Sequence, residues 1–237
     1  MKFCFQQANF YSPFRYMTYK LEKRTWADAD YDKMGWHDNR IYKLAVNEDL
    51  EMDIDYIVKW NQPDIEGLPF TFWVAPATLV FKNISHLKLD LSMELYNSFE
   101  IEGIEREEEN NWSVILRQGV IQFTSPGFVQ YIRQDPSFQF EQSISYIERY
   151  GYSLDRTTTQ ENPNLLLDNI IENRKKEAAH YENVKKRQLK RLELEALVKL
   201  RELNEIDTKQ YLLKKKEIND LLFSYDYFLK GTRFESW

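Results

Sequence analysis

WHDNRIYKLAVNEDLEMDIDYIVKW, residues 36–60, decides the fold. In its second half Leu50, Met52, Ile54, Tyr56, Val58 and Trp60 fall at every second position, with Glu51, Asp53, Asp55 and Lys59 between them. A period of two puts the first set on one face of a strand and the second set on the other. The apolar face is the buried one. The opposite face carries two carboxylates in line and is read as wet, as antiparallel sheets allow. Residues 40–46 form a first strand, with Ile41 and Val46 apolar, and Asn47-Glu48-Asp49 is the turn between the two.

Outward from this hairpin, further strands follow at short intervals. Residues 70–82 are apolar nearly throughout but hold Pro76, which lacks an N–H; an edge position, a bulge or a break is expected there. Residues 86–93 alternate, with Leu87, Leu89, Leu91 and Met93 on one side. Residues 100–104 form a short strand, and 105–111 a solvated loop. Residues 112–117 and 120–124 flank Gln118-Gly119, a short hairpin connection. Residues 127–133 and 143–147 carry weaker strand patterns. No ten-residue helical pattern separates these strands, so the sequence predicts an antiparallel meander forming a sandwich or barrel.

After Gly151 the character changes. Residues 152–163 are polar and have no period, so they read as a linker. From Asn164 there is neither glycine nor proline until Gly231, as in a long helix or a helix pair. Leu189, Leu192, Ala196, Leu200 and Leu203 make an apolar stripe. Asp207 followed by Gln210 resembles a capping box, so a second helix starts near Thr208 and buries its stripe against the first. The fold class is α+β: a β domain over 1–150, a linker over 151–163, and a helical extension with a hairpin over 164–237.

The composition narrows the function. The 237 residues include 15 Tyr, 15 Phe and 6 Trp, enough to build a core. Only 7 are glycine, and neither GxGxxG nor GxxxxGK[ST] occurs, which disfavours phosphate-loop chemistry. Residues 1–160 hold 16 Lys/Arg and 24 Asp/Glu, and residues 161–237 hold 16 and 14, giving −8 and +2. The acidic part repels phosphate. The run 174–191, with eight Lys/Arg against two Glu, is the one segment offering charge to nucleic acid. A solvated helix face balanced by the glutamates beyond it is the plainer reading. One cysteine, Cys4, excludes an internal disulfide and a cysteine zinc cluster. With no apolar run of signal or membrane length, a reducing cytoplasmic setting is expected. Residues 1–35 are rich in rings, among them Phe3, Phe5, Phe10, Tyr11, Phe14, Tyr16, Tyr19, Trp26 and Tyr31. They read as an arm packed on the domain or as a ring-lined binding surface.

Two constellations offer chemistry. His37-Asp38 and Asp53/Asp55 fall on neighbouring strands and together have the donors for a hard divalent cation. Solvated acids on a wet strand face are the plainer reading. His86 and His180 read as surface residues. Cys4 has no histidine near it in sequence, and no GxSxG occurs.

Residues 197–222, LVKLRELNEIDTKQYLLKKKEINDLL, resemble a SHOCT-type short C-terminal domain. Ile206, Asp207, Tyr211, Lys214, Lys215 and Ile218 occupy its pattern. Glu205 stands where glycine is usual, and Gln210 replaces the acid. The resemblance implies an accessory module that mediates association and performs no chemistry. Residues 36–151, from the start WHDNRI through the meander, are similar to small bacterial β domains grouped with toxin-immunity proteins, which implies a protein that binds and blocks. The expected function is therefore binding without catalysis, immunity-like or defence-associated. A protein partner or self-association through the tail is expected, and no cofactor. The surface candidates for interaction are Trp36, His37, Asp38, Asp53 and Asp55 on the β domain, and Leu192, Leu200, Tyr211 and Ile218 are the expected contacts of the helix pair. The alternative is a metal-dependent hydrolase using His37, Asp38, Asp53 and Asp55.

Overall fold

The computed structural model describes residues 19–92 and 99–237, which form two compact units. The first spans 19–62 and 69–168, apart from 93–98; the second comprises 63–68 and 169–237. The rings at positions 3–16, Cys4 and Met93 lie outside the described residues.

The first unit holds ten strands: β1 (Thr25–Ala27), β2 (Asn39–Val46), β3 (Leu50–Asn61), β4 (Thr71–Phe81), β5 (Ser85–Leu91), β6 (Phe99–Arg106), β7 (Asn111–Leu116), β8 (Gly119–Thr124), β9 (Phe128–Ile132) and β10 (Ser137–Gln139). The sheet order is β1-β9-β4-β3-β2-β6-β7-β8-β5, with β10 also pairing β4. All pairs are antiparallel. Two meanders, β2-β3-β4 and β6-β7-β8, are joined where β2 pairs β6. The expected meander is thus present, as a sheet that does not close.

It curls instead. Phe81 of β4 stacks edge-on against Trp112 of β7 at 5.1 Å and Phe123 of β8 at 4.8 Å, although these strands are far apart in the sheet order. Only a sheet bent over itself brings those rings together. The core inside the bend contains Leu50, Met52, Ile54 and Tyr56 of β3 and Ala75, Ala77, Leu79 and Phe81 of β4, the faces that the period of two selects. Tyr31 and Trp26 of the N-terminal segment pack against it.

Pro76 is neither at an edge nor in a bulge of its own strand. It lies opposite Asp55 of β3. On the other side of β4 the pairing passes from β9, which ends at Ile132, to β10, which begins at Ser137. The Pro76 carbonyl accepts from Arg133 N–H at 2.9 Å on that side. A strand residue points its N and its carbonyl the same way, so the missing N–H falls in the gap between two partner strands. Gly119, at φ 137°, starts β8; a Cβ there would stand 2.0 Å from the Asp90 carbonyl of β5. Residues 143–147 form no strand: Ile144 N–H and the carbonyl of Ser145 are bonded in turns and to a side chain.

The polar stretch 152–163, read as a linker, is fastened to the sheet. Ser153 N–H donates to Asp53 Oδ2 at 3.0 Å, Thr78 Oγ1 to the Asp155 carbonyl at 2.6 Å, and Gln160 N–H to the Arg133 carbonyl at 2.9 Å.

The second unit is built on α1 (Leu167–Glu202) and α2 (Thr208–Leu229). Asp207 caps α2, its Oδ1 accepting from Lys209 and Gln210 N–H at 2.9 and 3.0 Å. Asn204, at φ 57°, supplies the left-handed residue that ends α1, and Glu205 N–H returns to the Leu200 carbonyl. The hairpin core is Leu197, Ile206 and Ile218, with Leu194, Tyr211 and Leu222 against it. Tyr211 and Ile218 pack in this cluster, and Leu192 and Leu200 are absent from it. Of the expected stripe, Leu189, Leu200 and Leu203 are 52%, 39% and 66% exposed, Ala196 is exposed and Leu192 is half-buried, and none of the five joins the cluster with α2. At the other end of the unit Arg187 is buried and holds the last turns of the chain, donating to the carbonyls of Phe234, Glu235 and Trp237 and to Asp226. Residues 63–68 lie against α1 through Gln188 Nε2 and the Glu66 carbonyl, 2.9 Å apart. No helix among the described residues is long and apolar enough to cross a membrane.

Candidate functional site

The outer face of β3 and β4 holds the acids that the alternation placed together. Asp53 and Asp55 do point the same way, but both are fully buried. The expectation of a wet face is corrected by what lies over it. Ile57, Phe72 and Val74 make an apolar floor with Ile144, and the segment around Arg149 and Ser153 closes the rest.

Two arginines neutralise the acids. Arg133 NH2 and Arg149 NH2 both donate to Asp53 Oδ1, at 2.7 and 2.5 Å. Arg149 NH1 stands 3.3 Å from Asp55 Oδ1. Asp55 Oδ2 accepts from Tyr42 OH at 2.8 Å and from Ile144 N–H at 2.9 Å. Arg133 NH1 also donates to Thr78 Oγ1 and to the Ser153 carbonyl. The Arg149 guanidinium lies 3.9 Å over the Tyr42 ring and 5.3 Å from that of Tyr152, and the two rings stack at 5.3 Å. Two positive and two negative groups thus make a neutral cluster whose charges are removed from water.

Burial shifts Asp55, Tyr42 and Arg133. Desolvation pushes the Asp55 carboxyl up, with Arg149 chief among the groups that oppose it. The Tyr42 phenol is raised by burial and then by the charge of Asp55. The Arg133 guanidinium is drawn below its usual range by burial, with Asp53 pulling the other way.

The other sequence candidates separate from this cluster. Trp36 is a core residue whose Nε1 donates to Gln130 Oε1 at 2.8 Å, not a surface residue. His37 is exposed, with Nδ1 2.9 Å from Asp38 Oδ1. Asp38 sits in the turn before β2 at φ 63° and accepts from Gln142 Nε2 at 2.7 Å. His37 lies beside the exposed rim of β3 and β4, its ring 6.5 Å from Trp60, which meets Phe70 at 5.8 Å. Among the described residues no three His, Cys, Asp or Glu side chains come together to hold a metal ion. Arg133 and Arg149 occupy the places a cation would take beside Asp53 and Asp55.

Sequence reasoning missed Arg133 and Arg149. Neither stands in a motif; two buried acids require two bases, but only the fold says which. It also missed the outward-facing apolar residues of α2. Leu212, Leu213, Phe223, Tyr227 and Phe228 are all more than half exposed. Phe223 and Tyr227 line an open groove of about 420 Å³ together with Arg187, Asp226, Lys230 and Glu235. The basic run on α1 is largely satisfied locally. Lys175 pairs Glu172, Lys185 pairs Glu182, Lys190 pairs Glu193, and Arg187 is buried. His180 packs its ring on Phe228 at 5.5 Å.

Comparison of the chain with family models, with curated proteins and with solved structures gave no match in any of the three.

Proposed function

We propose that this protein acts by binding, without catalysis, and that its helical unit is the part that associates. The observation that carries this reading is the outer surface of the helices. Phe223 and Tyr227 are 75% and 76% exposed, and Leu189, Leu203, Leu212 and Leu213 are each more than half exposed. Large apolar side chains in such number on one small unit mark an interaction surface. The SHOCT-type resemblance of residues 197–222 supports the same role. The β unit supplies a second, smaller surface at His37, Trp60 and Phe70, and the resemblance at residues 36–151 supports an immunity-like or defence-associated role. The candidate acids support binding over chemistry, since Asp53 and Asp55 are fully buried beside arginine partners.

The test uses the full chain immobilised from native extract, beside a variant carrying Phe223→Ser, Tyr227→Ser and Leu200→Lys. Identified proteins retained by the parent and lost from the variant, or a change of mass in solution between the two, are expected. Identical retention and identical mass would remove the helical surface from the function.

A further inference from the structure

The stripe on α1 that α2 leaves uncovered has an internal symmetry. Leu189, Leu192, Ala196, Leu200 and Leu203 are separated by three, four, four and three residues, so the pattern reads the same from either end about Ala196. The mean step is the period at which two helices keep one seam in contact over several turns. At about 100° per residue the stripe lies roughly 130° around the axis from Leu194 and Leu197, which face α2. The hairpin and the stripe therefore make no competing demands on α1.

Resting on the association reading above, we propose that the stripe pairs with the same stripe of a second copy of this chain, antiparallel, about a two-fold axis through Ala196. A two-fold contact sets residue i against j and j against i. A palindromic stripe satisfies that condition by itself: Leu189 meets Leu203, Leu192 meets Leu200, and Ala196 meets Ala196. The smallest side chain of the five stands at the crossing, where the two axes come closest.

Charge selects the direction. Leaving aside the buried Arg187, residues 185–195 carry four Lys/Arg and two Glu, and residues 197–207 carry two Lys/Arg and three Asp/Glu, giving +2 and −1. An antiparallel pair lays the positive half on the negative half. A parallel pair lays like on like, which repels. Glu195 and Lys199 share one flank of the stripe, so the antiparallel pair also brings Glu195 of each copy near Lys199 of the other.

Light scattering of the full chain against concentration should give the mass of two chains. Leu200→Lys should raise the dissociation constant by on the order of 100-fold or more, because the symmetry removes two buried leucines and inserts two charges at once. Phe223→Ser, on the other helix, should leave the dimer unchanged. In a Cys4→Ser background, Ala196→Cys should be joined to itself by a short bismaleimide. Leu203→Cys alone should not, whereas a mixture of Leu189→Cys and Leu203→Cys chains should be joined to each other. Because Leu200 is exposed, Leu200→Lys should keep the helical circular dichroism of the parent. A single-chain mass at every concentration, a dimer indifferent to Leu200→Lys, or self-joining of Leu203→Cys would each overturn the proposal. A single-chain mass together with loss of a retained protein on Phe223→Ser would overturn it while leaving the binding function standing.

Discussion

The two units invert each other. On the outer face of the sheet, charged side chains are buried: Asp53, Asp55, Arg133 and Arg149 are all closed off from water. On the outer face of the helices, apolar side chains are exposed: Leu189, Leu203, Phe223 and Tyr227 stand in solvent. In both places the periodicity sorted residues onto faces correctly, but neither face has the surroundings its polarity implies. A sequence pattern assigns a residue to a side of an element. What lies over that side depends on distant segments. Over the acids the chain folds its own residues 144–155, which bring the arginine and the backbone N–H groups that the acids need. The helical stripe receives no such cover from α2.

The sharpest way to break this contrast is to remove the acid shared by both arginines. Asp53→Ala would leave Arg133 and Arg149 buried around a single remaining carboxylate, and stability should fall by about 3–5 kcal/mol. Urea unfolding followed by hydrogen exchange of the β3 amides would measure it. A loss within the scatter of surface substitutions would mean that water reaches the cluster.

A paired substitution sharpens the helical side. Leu197→Ala, inside the hairpin, should cost about 2–4 kcal/mol. Leu200→Ala, three residues on, should stay within about 0.5 kcal/mol at a concentration where the chain is a single copy. Equal costs would show that the stripe is buried within one chain and would contradict the exposure on which both proposals rest.

The smallest effect concerns the ion pair of Arg156 with Asp49, in the turn between β2 and β3. The Asp49 carboxyl is held below the usual range by the Asn83 N–H and then by Arg156, which also bonds Glu51. A carboxyl lowered on folding adds stability above its unfolded pKa of about 3.9, and that stability is lost as pH falls through the folded value. The melting temperature of Asp49→Asn should therefore lie slightly below that of the parent near neutral pH, and the difference should shrink as the pH is lowered toward 3. A difference that stays constant, or grows, would show that the ion pair contributes nothing. Arg156 is open to solvent and Asp49 is half-buried, so added salt should shrink it too.

Much of the architecture was legible. Alternation in β3 named Leu50, Met52 and Ile54 as core, and Asp207 marked the start of α2 because a capping side chain is a local device. Trp36 was legible as aromatic but not as internal; its place is set by Gln130, 94 residues away. The short strands β1 and β10 carry too few residues to show a period. The stretch 152–163 looked like a linker because its bonds are made by backbone groups and by side chains of remote strands, which leave no trace in local composition.

By itself, the sequence determined the alternating strands, the helical hairpin with its cap, and the palindromic leucine stripe, since each depends on neighbours within a few residues. Tertiary structure alone decided that the sheet curls without closing, that two arginines from beyond residue 130 enclose Asp53 and Asp55, and that Leu194 and Leu197 meet α2 in place of the stripe. Burial is a property of what covers a face, and that cover comes from parts of the chain too distant for any local period to encode.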